Sequence, residues 1–188
     1  MRAMLAALIL FFCGGGLAAS QEAGVLPVGA CEIDGNDVHM QVTFHNFGKT
    51  FSADYTAFVH FDRSLAGESL YAQAAPGLRP LVAQTDSSTW QGSDTITVGF
   101  DPVTIPAWVA GAVYVKVGLF DAAGTGPRIS LLGKDSSQRV LVGRLQMGET
   151  GWEWVRERPR DAAAVERIGA RPRALVKAMP DPPTVRFG

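Results

Sequence analysis

The sequence predicts an all-β fold, an antiparallel two-sheet β-sandwich of about seven to nine strands, followed by a C-terminal extension with a short helix. Three observations predict it. Between residues 29 and 148 the dominant hydrophobic period is two. Clusters of Gly, Pro, Asp and Ser interrupt that pattern about every ten residues and leave strands of about six. Over the same span no window places apolar residues at i, i+3, i+4 and i+7, so an α/β protein's helices have nowhere to form.

Residues 1–20 precede the pattern and differ in character. Arg2 gives a positive start, Met4 to Cys13 form an apolar run of Leu, Ile and Phe, and Gly14-Gly15-Gly16 interrupts it. Ala18 and Ser20 then occupy the −3 and −1 positions of a signal-peptidase site, which makes Gln21 the first mature residue. The run is about ten residues long where a membrane span needs about twenty. A cleaved export signal is therefore expected, with a retained anchor as the alternative and no membrane span after cleavage. The expected location is the periplasm or the extracellular medium.

Residues 21–148 form the expected sandwich domain. Residues 21–28, with Pro27, read as an extended lead-in. Residues 30–34 read as a strand joined through Asp34-Gly35-Asn36, which is hairpin chemistry, to a strand over 37–45. There Val38, Met40, Val42 and Phe44 alternate with polar neighbours. Residues 55–62 repeat the alternation, with Tyr55, Ala57, Val59 and Phe61 facing the core. Further strands are expected at 68–73, 80–85, 94–100, 113–121, 128–132 and 139–146. Between them lie Ala75-Pro76-Gly77, Asp86-Ser87-Ser88, Asp101-Pro102 and Ala123-Gly124-Thr125-Gly126-Pro127.

At Gly148 the alternation stops, and residues 149–188 read as a charged tail containing Trp and Pro. Asp161 is a helix N-cap for the alanines that follow, giving a short helix near 161–169 that ends before Pro172. Pro180, Pro182 and Pro183 keep the end extended. Trp152 and Trp154 point the same way in an extended chain, either back onto the sandwich or toward a partner.

The formal net charge of −1 conceals an asymmetry: residues 21–148 hold eight Lys/Arg against twelve Asp/Glu, and residues 149–188 eight against six. Neither part has the concentrated cationic face that nucleic acid requires, so no nucleic-acid partner is expected. Of the two cysteines, Cys13 lies inside the signal, which leaves Cys31 alone and rules out an intramolecular disulfide in the mature chain. Cys31 reads as a buried strand residue, with an intermolecular disulfide or a reactive thiol as alternatives.

Several segments taken together resemble a known family. They are Phe58-Val59-His60-Phe61-Asp62, then Ser88-Thr89-Trp90 with Gly92, then Ile105-Pro106-Ala107-Trp108-Val109-Ala110-Gly111, and Val115-Lys116-Val117-Gly118-Leu119-Phe120-Asp121. Val142-Gly143-Arg144-Leu145 resembles a closing strand. In this order, over roughly residues 38–147, the chain resembles bacterial exported β-sandwich domains of loosely fibronectin-type-III-like kind. Such domains occur at the extracytoplasmic ends of membrane glycosyltransferases and in other exported multidomain proteins. The resemblance implies the immunoglobulin-like sandwich fold and an extracytoplasmic setting, and assigns no chemistry. Gln91 stands where the family pattern has Pro, and residues 149–188 have no counterpart in it.

Few residues suggest chemistry. The three histidines, His39, His45 and His60, fall on the polar phase of their strands. If the strands 37–45 and 55–62 paired as a hairpin, His39 would face Asp62, and His39, His60 and Asp62 would be weak metal-ligand candidates beside the reading of a solvated polar face. His45 lies about 20 Å along the strand from His39 and cannot join them. Asp34-Gly35-Asn36-Asp37 lacks the downstream Glu of a calcium loop. Gly124-Thr125-Gly126 leads into Pro127 and a strand rather than a helix N-terminus, so no phosphate loop and no cofactor are expected. No Ser sits in a Gly-x-Ser-x-Gly elbow.

Phe58, Trp90, Trp108, Tyr114 and Phe120 fall opposite the core phase or in turns, and Trp90, Trp108, Trp152 and Trp154 are the candidate ligand- or partner-binding residues. The sequence thus predicts no enzyme. It predicts an exported binding module whose tail docks onto a protein partner in the cell envelope or extracellular space, with a carbohydrate-binding accessory domain as the alternative.

Overall fold

The structure is a computed structural model that describes residues 23–66, 78–121 and 128–158, and Lys177. Among the described residues nine strands form two antiparallel sheets. In the first, β1 (Gly24–Asp34) and β2 (Asp37–Phe47) make the expected hairpin around Gly35-Asn36. The strands β5 (Thr95–Gly99) and β6 (Val103–Thr104) pair one after the other with the far side of β2. The second sheet has the order β4-β3-β7-β8-β9. Its strands are β3 (Tyr55–Asp62), β4 (Leu81–Gln84), β7 (Ala112–Asp121), β8 (Val140–Met147) and β9 (Trp152–Arg156). The all-β sandwich read from the alternation is the fold.

The core lies between the sheets and follows the period-two pattern. Val38, Met40, Val42 and Phe44 from β2 meet Ala57, Val59 and Phe61 from β3, with Val113, Val115, Val117 and Leu119 from β7. Each of these is at most 1% exposed, so burial is complete where the sequence alternates. A fully buried Phe or Leu contributes about 1.5–3 kcal/mol of transfer free energy.

Four expectations need correction. The lead-in is already strand: β1 starts at Gly24 and includes Pro27, opposite Phe44. Proline is tolerated because, among the described residues, β1 lies at the end of its sheet with no strand ladder along its other side. Second, β2 and β3 do not form a hairpin but lie in different sheets. The buried Asn46 turns the chain between them: its Nδ2 donates to Lys49 O (2.8 Å) and Gln91 O (2.9 Å), and its Oδ1 accepts from Lys49 N (2.9 Å).

Third, residues 128–132 are irregular rather than a strand. Leu131 and Leu132 are both buried, and the Leu132 N–H bonds across to Val25 O of β1 at 2.9 Å, so the segment is tied to the first sheet. Fourth, the sheet runs past Gly148, because β9 pairs with β8 from Gly143↔Arg156 to Met147↔Trp152. The strand expected at 68–73 and the helix near 161–169 lie outside the described residues. Among the described residues no helix is long and apolar enough to cross a membrane.

Candidate functional site

The most concentrated chemistry sits on the outward face of the second sheet. The alternation that turns Tyr55, Ala57, Val59 and Phe61 inward turns Thr56, Phe58, His60 and Asp62 outward, and β7 contributes Tyr114, Lys116, Gly118 and Phe120 to the same face. His60 is directly opposite Lys116, which makes Asp62 its diagonal neighbour. This face is covered: Thr56, Phe58, Asp62 and Lys116 are each at most 3% exposed. Phe58 lies over Gly118, where a Cβ would come within 2.3 Å of its ring. The rings of His60 and Phe120 and the Arg128 guanidinium close around it.

Over Asp62 and Lys116 folds the segment that leads into β8. Asp135 organises it: Oδ1 accepts from the Ser137 N–H (2.9 Å), the Ser137 hydroxyl (2.6 Å) and the Arg139 N–H (3.0 Å). Gln138 adopts a φ of 61° within this turn. The turn brings Arg139 down onto Asp62, with Nη1 at 3.1 Å from Oδ2 and 3.4 Å from Oδ1. The Lys116 ammonium completes the set, at 3.0 Å from Asp135 Oδ2, 3.6 Å from Asp62 Oδ2 and 2.9 Å from the Leu65 carbonyl. Two carboxylates and two cations thus neutralise one another beneath a loop. Asp62 Oδ2 is ion-paired but out of line for a hydrogen bond.

The surroundings tune the titratable groups. Burial, reinforced by the charges of Arg139 and Arg128, lowers the His60 pKa to about 4, so the ring is neutral at pH 7. Its Nδ1 then accepts from Arg139 Nη1 at 3.3 Å. Burial works to raise the Asp135 pKa, but the hydrogen bonds from Ser137, Lys116 and the Arg139 N–H, with the Lys116 charge, hold it well below the usual carboxylate range. The cleft beside the cluster, lined by Leu65, Lys116, Gly133, Lys134, Asp135, Arg139 and Leu141, is about 50 Å³. Organic ligand pockets run to about 300–1,000 Å³, so this one admits a few waters. What the arrangement does chemically is pin the loop to the sheet.

The metal-ligand candidates are divided between the sheets. His39 is exposed opposite Glu32 on the first, while His60 and Asp62 are on the second and share Arg139. Among the described residues no group of three or more His, Cys, Asp or Glu could hold a metal ion. Cys31 is half-buried, and burial with the nearby Glu32 charge pushes its thiol up to about 12, so it stays protonated.

The tryptophans divide as sharply. Trp90, expected to be exposed, is 4% exposed and packs against Phe44 and Phe51 with ring centroids at 5.5 and 5.4 Å. Trp152 is 8% exposed in the core, and Trp154 packs over Gly143 and Gly29 between the sheets. Trp90 and Trp152 are thus buried, while Trp154 is partly buried against the core. Trp108 alone among the four stands out, 44% exposed, with the Arg63 guanidinium 5.7 Å above its ring. Lys116, Asp135 and Arg139 went unmarked in the sequence. The available signal was a lysine within the otherwise apolar run Val113–Leu119, but its partners needed the strand register.

No protein-family model matches the chain, and neither the curated proteins nor the solved structures contain a significant match to it.

Proposed function

We propose that this chain is a non-enzymatic, exported binding module in which the sandwich is a platform and the chain beyond β9 is a docking arm. The observation that carries the reading is the contrast among the tryptophans: Trp90 and Trp152 are buried in the core and Trp154 is partly buried against it, whereas Trp108 stands in the β6–β7 loop with Arg63 above it. An exposed Trp beside an Arg is the pair of residue types that dominates interface hot spots. The mutual neutralisation of the charge cluster and its small cleft support binding through a surface over turnover in a pocket.

Because β9 and Glu157, whose N–H donates to Val142 O, belong to the sheet, the arm lies beyond them. The test is a pull-down from an envelope fraction with the whole mature chain, a chain ending at Arg158, and Trp108→Ala. Loss of one partner set from both altered chains supports the reading, and identical capture by all three overturns it. A carbohydrate-binding role is the second reading, because Trp108 is 44% exposed and an aromatic ring in water suits stacking on a sugar. A glycan array that is flat for the unaltered chain disposes of it. Export through cleavage after Ser20 predicts an N-terminus at Gln21, and sequencing that finds Met1 on membrane-pelleted protein refutes it.

A further inference from the structure

The edges of the two sheets are not equally protected. Strand β1 carries Pro27 and Glu32, β4 is only four residues long and follows Pro80, and β9 carries Glu153 and Arg156. These are the usual devices against edge-to-edge pairing. Strand β5, Thr95-Ile96-Thr97-Val98-Gly99, has neither a charge nor a proline, and among the described residues no strand pairs with its far side.

We propose that β5 is a pairing edge whose partner is β5 of a second copy, running antiparallel about a two-fold axis at Thr97. The ladder to β2 sets which groups are available. Asn46 N–H bonds Asp94 O and Phe100 N–H bonds Met40 O, so the even-numbered residues face β2. Thr95, Thr97 and Gly99 therefore direct their N–H and C=O groups to the open side. A two-fold axis at Thr97 pairs Thr97 with its own copy and Thr95 with Gly99 of the second chain, and each pair can exchange both main-chain bonds.

The faces match in the same register. Ile96 meets Val98 of the second copy on the core side, where both are only half-buried in the single chain. On the outward side Thr97 already bonds Thr43 through their hydroxyls at 3.0 Å, so the pairing sets two such threonine pairs in one row. No charge falls within the paired stretch, and the interface is isologous, so it closes at two copies. A five-residue edge falls short of the about 800 Å² per partner of a standard interface, which makes the dimer reversible.

Analytical ultracentrifugation of the whole mature chain over a concentration series tests this. The expected result is a weight-average mass that rises reversibly toward twice the monomer value. Thr97→Pro removes an N–H that faces away from β2, so it keeps the β2–β5 ladder and holds the chain at monomer mass at every concentration. Thr97→Lys sets two ammonium groups opposite each other and does the same, which covers the case in which the proline variant fails to fold. An unaltered chain that stays monomeric up to millimolar concentration overturns the proposal and leaves the edge to an extended segment of another protein. A dimer that persists in Thr97→Lys overturns it as well.

Discussion

Each sheet turns one face to the core and one away, and the two outward faces are built on opposite principles. On the first sheet Glu32, His39, Gln41, Thr97 and Gly99 are exposed, and water satisfies what the neighbouring strands do not. On the second Thr56, Phe58, Asp62 and Lys116 are buried, and the protein must supply every partner itself. The exposed polar residues of the first face are solvated, whereas Asp62 and Lys116 on the second are fixed parts of the structure. The same alternation of apolar and polar residues produced both.

That difference predicts unequal costs for removing a carboxylate. Asp62→Ala leaves Lys116 and Arg139 buried beside a lost counter-charge, and breaking a buried pair in this way costs about 3–5 kcal/mol. Glu32→Ala removes an exposed acid opposite His39 and costs at most about 1 kcal/mol. Urea denaturation of the two variants measures the contrast, and equal midpoints would show that the cluster does not hold the second face.

Glycines sharpen it by sterics. A Cβ at Gly118 would come within 2.3 Å of the Phe58 ring, so Gly118→Ala must swing that ring out from under Arg128 and Phe120. Overpacking of this kind costs about 1–3 kcal/mol. Gly99 has nothing within 4 Å of its would-be Cβ, so Gly99→Ala on the first sheet should stay within about 0.5 kcal/mol of the parent. Thermal melts of the pair, read against Phe58→Ala, separate crowding of the ring from a general intolerance of alanine in these strands.

Histidine extends the comparison to pH. His60 has a folded pKa of about 4, below the ordinary 6.5. Between those values the unfolded chain takes a proton that the fold refuses, so stability present above about pH 6.5 is lost as pH falls toward 4. The loss is about 1–2 kcal/mol once solvent screening of this partly exposed ring is discounted. His45 on the first sheet is lowered by burial alone and acts in the same direction. Stability measured from pH 7.5 to 4.5 should flatten more for His60→Gln than for His45→Gln, and a reversed order would place the buried face on the wrong sheet.

How much of this was legible in the sequence follows from the same contrast. Strands with one solvated face announce themselves by alternation, which is why β2 and the inward residues of β3 read correctly. Residues 128–132 looked like a strand because Ile129, Leu131 and Leu132 are apolar, but adjacent Leu131 and Leu132 are both buried, which alternation cannot produce in a strand solvated on one face. The His39–Asp62 pairing assumed that consecutive strands are neighbours, and a turn fixed by Asn46 sends β3 to the other sheet. The covered face was the least legible, because Asp62, Lys116 and Arg139 are far apart in the chain and meet only through register. Two of the segments that carry the family resemblance, those containing His60 with Asp62 and Lys116 with Gly118, are the ones that build it.

The smallest expected effect on stability is also the one closest to function. Trp108 is 44% exposed, its ring touched by Arg63 from above, and it lies outside the aromatic cluster of Phe44, Phe51 and Trp90. Truncating a ring that is nearly half in water and fills no cavity removes a surface cation–π contact of about 0.5–1 kcal/mol and some partial burial. Trp108→Ala should therefore shift the urea midpoint little, whereas Trp90→Ala, which empties a core site, should cost about 3–5 kcal/mol. If Trp108 serves a partner, its removal weakens capture while the melt stays near the parent, and Trp90→Ala reduces capture only in proportion to the unfolded fraction. A Trp108→Ala variant as unstable as Trp90→Ala would make the ring structural and leave the binding surface without its anchor.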